Sequence, residues 1–182
     1  MILALTAMLG LAQQCAPTVA PETLVALVRV ESGFDPLAIG VNGVARAADH
    51  PAGLEAAIAT ARRLIAAGRN VDLGLGQINS RNLPALGLSV AEAFDPCRNL
   101  AASARVLAAD FLRAAPGVSA QAGLRTALSL YNTGDARRGF RNGYVARVTA
   151  AAGAGAPSPA PVLPEPSWDV FARPAPAGLR LF

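Results

Sequence analysis

Pro21-Glu22-Thr23-Leu24-Val25-Ala26-Leu27-Val28-Arg29-Val30-Glu31-Ser32-Gly33 reads as one helix with a carboxyl group on its apolar face. Proline suits the first turn, where its missing N–H is not needed, and Gly33 and Pro36 stop the helix. Spacings of three and four put Leu24, Leu27 and Val28 on one face, and the position seven residues after Leu24 is Glu31. The carboxyl group therefore falls where the helix buries hydrocarbon. It also sits in the last turn, at the negative end of the helix dipole. Burial and dipole both disfavour the ionised form, so its pKa is expected to rise, and a raised carboxyl can serve as a general acid. The plainer alternative is that Glu31 ends the helix and reaches water past Ser32 and Gly33.

Working outward, the same periodicity recurs. Leu54, Ile58, Ala61 and Ile65, with Leu64 beside them, mark a second amphipathic run that stops at Gly68. Asp95 and Pro96 read as N-cap and first residue of a helix carrying Leu100, Ala104, Leu107 and Phe111. Ser119 caps another, with Leu124, Ala127, Leu128 and Tyr131 on one side, and a last helix is expected over about residues 142–152 through Val145 and Val148. Residues 72–82 begin Gly-rich and suit a short hairpin or turn. The expected class is mainly α.

The 182 residues allow one domain of about 100–150 residues plus something extra. Half of the 14 prolines fall in residues 153–182, where they block helix, so the domain is expected to span residues 15–152 with an extended or disordered tail behind it. Trp168 and Phe171 give that tail two anchors for a partner. Residues 1–14 begin with an almost wholly apolar stretch without Lys or Arg. They read either as a buried first helix ending near Cys15 or as a degenerate signal segment.

Hydrophobic residues make up 53% and charged ones 15%, which argues against disorder and a coiled-coil rod. No apolar run reaches 18 residues, so no membrane-spanning segment is expected. The net charge of +4 comes from 16 scattered Arg against 12 acids. Without a basic run or interleaved aromatics this excludes a nucleic-acid surface, while suiting an anionic polymer. A single His and two distant Cys give no metal-ligand spacing, and no metal or other cofactor is expected. A Ser/His/Asp triad would have to use His50, in a loop beside Pro51 with no orienting pattern. Cys15 and Cys97 are either two buried thiols or one disulfide; a bridge closing a loop of about 80 residues would add roughly 4 kcal/mol in the chain-entropy view and require an oxidising compartment.

Two further places carry polar groups on otherwise apolar elements. Tyr131 lies seven residues after Leu124, next to Asn132, Thr133 and Gly134, and its phenol needs a hydrogen-bond partner that Glu31 could supply. Gly74-Leu75-Gly76-Gln77-Ile78-Asn79 sets two amides beside glycines, where backbone can approach a ligand closely. It is not a phosphate loop, because no dinucleotide-type strand precedes it. Acid, phenol and amides without a metal or a nucleophilic pair suit a carbohydrate site.

At these residues the chain resembles the lytic transglycosylase family with its lysozyme-like (goose-type) α fold, in particular the branch associated with type IV secretion. The carriers are Glu31-Ser32-Gly33-Phe34-Asp35-Pro36 with Ala38, the Gly74-to-Asn79 motif, Ala127-Leu128-Ser129-Leu130-Tyr131-Asn132-Thr133-Gly134, and Gly143-Tyr144-Val145. The resemblance implies that Glu31 is the catalytic acid with the Ser32 hydroxyl beside it. It implies that Gln77 and Asn79 line a saccharide groove, that Tyr131 and Asn132 hold the acid and the sugar, and that Tyr144 lies near the cleft. It favours a Cys15–Cys97 disulfide. Gly76 stands where many relatives have Met, which is expected to open one wall of the groove. The segment between Glu31 and the Gly-rich motif is longer than the family's common form, a feature the secretion branch shares.

The implied partner is the glycan strand of peptidoglycan, cut in the periplasm to let a secretion apparatus pass, with components of that apparatus as possible ligands of the tail. A glycosidase ordinarily uses two carboxylates; the resemblance supplies one, enough for a lyase that closes a 1,6-anhydro ring. The alternatives are a hydrolytic muramidase with Asp35, Asp49 or Asp72 as second carboxylate, and a wall-binding scaffold.

Overall fold

A computed structural model describes residues 2–43 and 51–155. His50, Asp49 and nearly all of the Pro-rich tail, with Trp168 and Phe171, lie outside the described residues. Helix α1 (Leu5–Cys15) takes up the apolar N-terminal stretch and buries Met8 and Ala12. Helix α2 (Pro21–Ser32) has Pro21 in its first turn and ends on Gly33, whose φ of 61° is the left-handed conformation that glycine adopts freely. Leu24, Leu27 and Val28 are fully buried, as their spacing requires.

Helix α3 (Leu54–Ala66) turns Ala57, Ile58 and Ala61 inward. Leu54, expected on that face, is 47% exposed, since the first helical residue overhangs the packed surface. The expected hairpin is one part of a three-stranded antiparallel sheet in the order β1 (Ile39–Val41), β2 (Val71–Leu73), β3 (Ile78–Asn79). Gly40 faces Asp72, and Asp72 faces Asn79. The short helix α4 (Leu83–Leu86) follows, then a helical turn over Glu92–Phe94.

Helix α5 (Pro96–Ala114) is capped by the Asp95 side chain, which accepts from Arg98 N, and α6 (Ala120–Thr133) by Ser119, which accepts from Ala122 N. Helix α7 (Arg138–Arg141) was not expected. It is tied to α6 by Ser129, whose hydroxyl donates to Asp135 O at 2.6 Å and accepts from Gly139 N at 2.8 Å. Helix α8 (Tyr144–Gly155) begins two residues later than expected, because Asn142 closes α7 and its side chain accepts from Tyr144 N.

Two apolar cores form among the described residues. One gathers α1, α2, α5, α6 and α8 around Met8, Leu24, Leu27, Leu100, Leu107 and Val148. The other gathers the sheet, α3 and the short helices around Ile39, Leu73, Ile78 and Phe94. Helix α5 contributes to both, through Leu100 and Leu107 to the first and Ala102 to the second. A disulfide joins Cys15, the last residue of α1, to Cys97 at the start of α5. The seam between the two cores is where the polar residues collect.

Candidate active site

A cavity of about 140 Å³ opens in that seam. Glu31, Tyr131 and Asn132 line it from the helical side, Val106 from α5, and Asn42, Asp72, Gln77, Asn79 and Asn82 from the sheet side. A wider groove of about 710 Å³ shares Asn82, Val106 and Tyr131 with it and runs on past Arg105 and Leu130, so a long ligand has a continuous path.

Glu31 reaches the cavity from the last turn of α2. Burial raises its pKa most; a hydrogen bond from Tyr144 lowers it, the charge of Asp72 raises it and Arg147 lowers it, leaving it at about 7. The Tyr144 hydroxyl donates to Glu31 Oε1 at 2.5 Å. Tyr144 is itself buried, with its ring under the Arg147 guanidinium at 5.9 Å. Burial and the neighbouring carboxyl push its phenol well above the ordinary range, so it acts as a donor that keeps its proton.

Tyr131 does a different job from the one anticipated. Its hydroxyl donates to Gly76 O at 2.7 Å and not to Glu31, which ties α6 to the Gly-rich turn and makes the phenol part of the cavity wall. Burial, reinforced by the charge of Glu31, also holds this phenol protonated. Asn132 lies at the rim, where its Oδ1 accepts from Asn142 Nδ2 at 2.9 Å. Ser32 does not line the cavity; its hydroxyl donates back along the helix to Val28 O.

Gln77 and Asn79 both line the cavity, and both amides also hold the wall together. Gln77 adopts a positive φ of 49°, an uncommon conformation for a residue with a side chain. It is kept there by Nε2 donating to Gly74 O at 2.9 Å and Ala38 O at 3.2 Å. Asn79 Nδ2 donates to Asp72 Oδ1 at 2.6 Å. Asp35, a candidate second carboxylate, is buried away from the cavity, with Oδ1 accepting from Leu37 N.

Gly76 does not open a wall. A Cβ there would overlap the Ser103 hydroxyl and stand 3.0 Å from the Tyr131 hydroxyl, so α5 and α6 already fill that space. The turn is clamped from below by Asn99, fully buried on α5: its Oδ1 accepts from Gly76 N at 2.7 Å and its Nδ2 donates to Leu73 O and Ala93 O. Neither Asn99 nor Ser103 was singled out in the sequence. Their signal was there: Asn99, Ser103, Val106 and Asp110 follow one another by four, three and four residues, a second inward stripe beside the apolar one. Asn42 and Asn82 carried no comparable signal, since one lies in a turn and the other in a three-residue helical turn, both too short to show a period.

Residues 8–151 match the family described as "Transglycosylase SLT domain". The chain belongs to this family. Among curated relatives, the family member is 47% identical over 152 residues to the type IV secretion system protein virB1 of Brucella suis biovar 1 (strain 1330), covering 79% of this chain and 63% of that protein. It is 43% identical over 141 residues to protein virB1 of Agrobacterium fabrum (strain C58), covering 78% and 57%. Against protein virB1 of Rhizobium radiobacter it is 42% identical over 161 residues, covering 87% and 64%. The transglycosylase-family chain thus spans less than two thirds of the length of these relatives. No solved structure matches it.

Proposed function

We propose that the chain is a peptidoglycan lytic transglycosylase, a carbon–oxygen lyase that cleaves the β-1,4 bond between N-acetylmuramic acid and N-acetylglucosamine and leaves a 1,6-anhydromuramyl end. The observation that carries this is Glu31: a carboxyl with a pKa near 7, held by Tyr144, facing a polar cavity that continues into a groove. Its proton goes to the bridging oxygen, which leaves with the bonding pair as C1 is attacked by the carbonyl oxygen of the muramyl acetamido group. Ionised Glu31 then takes the proton of the C6 hydroxyl, whose oxygen displaces the acetamido oxygen at C1. Glu31 ends protonated as it began, and no water is consumed. A pKa near the working pH suits a group that must give and then take one proton.

In this reading Glu31 is the catalytic residue. Gln77, Asn79, Tyr131 and Asn132 form the sugar-facing wall, Tyr144 positions the acid, and residues 15–152 are the catalytic domain. The printed name of the Brucella relative supports a place beside a type IV secretion apparatus. In this reading the enzyme works in the periplasm, where it opens the wall locally, and the tail contacts the apparatus. An oxidising periplasm also suits the Cys15–Cys97 bridge.

Asp72, in the same cavity, favours a second reading, hydrolysis by a water activated on that carboxylate. Incubation of the purified chain with cell-wall sacculi, followed by mass spectrometry of the released muropeptides, decides. Anhydro ends are expected; reducing ends, roughly 18 Da heavier by one added water, would establish the muramidase instead. Glu31→Gln should release nothing. Full release by that variant would remove Glu31 from its role.

A further inference from the structure

We propose that Asp72 is a second functional carboxylate, one that accepts the N–H of the muramyl acetamido group and aims its carbonyl oxygen at C1. The proposal rests on the transglycosylase reading above and assigns within it a task that Glu31 cannot perform.

Strand β2 delivers the side chain by simple alternation. Val71 and Leu73 point into the second core and are fully buried, so Asp72 between them must face the other way, into the cavity. Its two cross-strand neighbours on that face are Gly40 and Asn79. Gly40 has no side chain to shield it, and a Cβ there would stand 2.7 Å from Gln77 Oε1 and 3.6 Å from Asp72 Cβ. The carboxylate is then fixed by two neutral donors: Asn79 Nδ2 on Oδ1 at 2.6 Å and Asn42 Nδ2 on Oδ2 at 2.8 Å.

Two amides use one lone pair on each oxygen and leave about two more sites for a ligand N–H. They also leave the charge uncompensated, for no arginine among the described residues pairs with Asp72. Burial pushes its pKa up, only partly offset by the two amides. A carboxylate that only braced the hairpin would gain nothing from being charged, and an asparagine could accept one of these bonds at lower desolvation cost. A charge kept in a ligand cavity without a counter-ion is suited to one that develops during reaction. When the acetamido oxygen bonds to C1, positive charge spreads over the O–C–N unit of the oxazolinium ring, and the N–H of that ring is where an opposing carboxylate acts. Glu31, across the cavity, is occupied with the bridging oxygen.

The experiment compares Asp72→Asn with the wild-type chain on two glycans, one N-acetylated and one N-deacetylated at the muramyl residue. On the acetylated strand the variant should lose about 10²-fold to 10³-fold in kcat with KM changed less than about threefold. On the deacetylated strand, where the wild-type chain is itself slow, the two should be equal. Equal losses on both strands overturn the proposal, since a merely structural role would not see the acetyl group. Binding of the 1,2-thiazoline of N-acetylmuramic acid, a stable mimic of the ring when a proton from solution sits on its nitrogen, gives an independent arm. It should weaken about 10²-fold in Asn42→Ala, in which Asp72 remains but one of its oxygens swings free, against a much smaller loss for a plain N-acetylglucosamine oligomer, which has no ring nitrogen to hold. Unchanged thiazoline affinity in that variant would also overturn the proposal. The transglycosylase reading fails separately, through absence of anhydro ends from the wild-type chain.

Discussion

The Tyr144 hydroxyl and the Glu31 carboxyl meet at 2.5 Å across a sequence separation of 113 residues, joining the start of α8 to the end of α2. Tyr144 N is fixed by Asn142 Oδ1 at 2.9 Å, and Arg147 Nη1 donates to Asn142 O at 3.2 Å. The phenol is therefore aimed by a short local network, and Glu31 gets its partner from the last element of the described residues.

Tyr144→Phe removes one hydrogen bond to a carboxylate and keeps the buried ring. Because that bond lowers the pKa of Glu31, its loss should move the alkaline limb of the pH–rate profile above about 7. It should also cost about 10-fold to 100-fold in kcat, the equivalent of a hydrogen bond to a charged group. The profile of muropeptide release against pH checks both. A limb that moved down would mean that the phenol does not stabilise the ionised form.

Glu31 itself links activity to stability with a definite sign. Its pKa in the folded chain is raised from 4.5 to about 7, so the folded state holds the proton more tightly than the unfolded state. The contribution is fully present below pH 4.5 and is lost as pH rises through about 7. The shift corresponds to a swing on the order of 3 kcal/mol. Glu31→Gln, which cannot ionise, should match the wild-type chain near pH 4 and exceed its Tm near pH 8, while cleavage is abolished. Thermal melts of both chains across that range test the sign. The wild-type rate should fall as pH rises through about 7, where the general acid loses its proton.

Much of this was legible because helices repeat. Leu24, Leu27 and Val28 defined the face on which Glu31 is the odd member, and Asp95 and Ser119 marked two helix starts that the structure caps as expected. What stayed hidden has no period. Strand β1 is three residues long and pairs with residues 30 to 34 positions away, so no local alternation announces it. Helices α4 and α7 are four residues each, little more than one turn. The exchange of roles between the two tyrosines was invisible for another reason: both lie near apolar faces, and only the packing of α6 and α8 decides that Tyr131 meets Gly76 and Tyr144 meets Glu31.

Gly76 and Ser103 are fitted to each other. Gly76→Ala would drive a methyl group into the Ser103 hydroxyl and toward Tyr131, and should destabilise the chain by about 1–3 kcal/mol through overpacking. Since the clash involves the Ser103 side chain, Ser103→Gly in the same chain should recover part of the loss, beyond its own cost as a helix glycine. A double-mutant cycle on denaturant midpoints measures the coupling. Strict additivity would show that the turn simply moves away from α5.

The Cys15–Cys97 bond closes a loop of 82 residues and fastens α1 to α5. Helix α1 buries Met8 and Ala12 fully and packs Leu9, Leu11 and Cys15 partly against the same core, so it has contacts of its own beside the tether. In the chain-entropy view a loop of this length is worth about 4 kcal/mol, all of it through the unfolded state. Cys15→Ser with Cys97→Ser, or reduction of the wild-type chain, should lower the urea midpoint accordingly. Neither cysteine lines the cavity, so kcat at 25 °C should change little. A midpoint unmoved by reduction would mean that α1 is held by its contacts alone, whereas a lost kcat with an intact midpoint would mean that the bridge positions α5, and with it Asn99 under the Gly74–Gln77 turn, instead of restraining the unfolded chain.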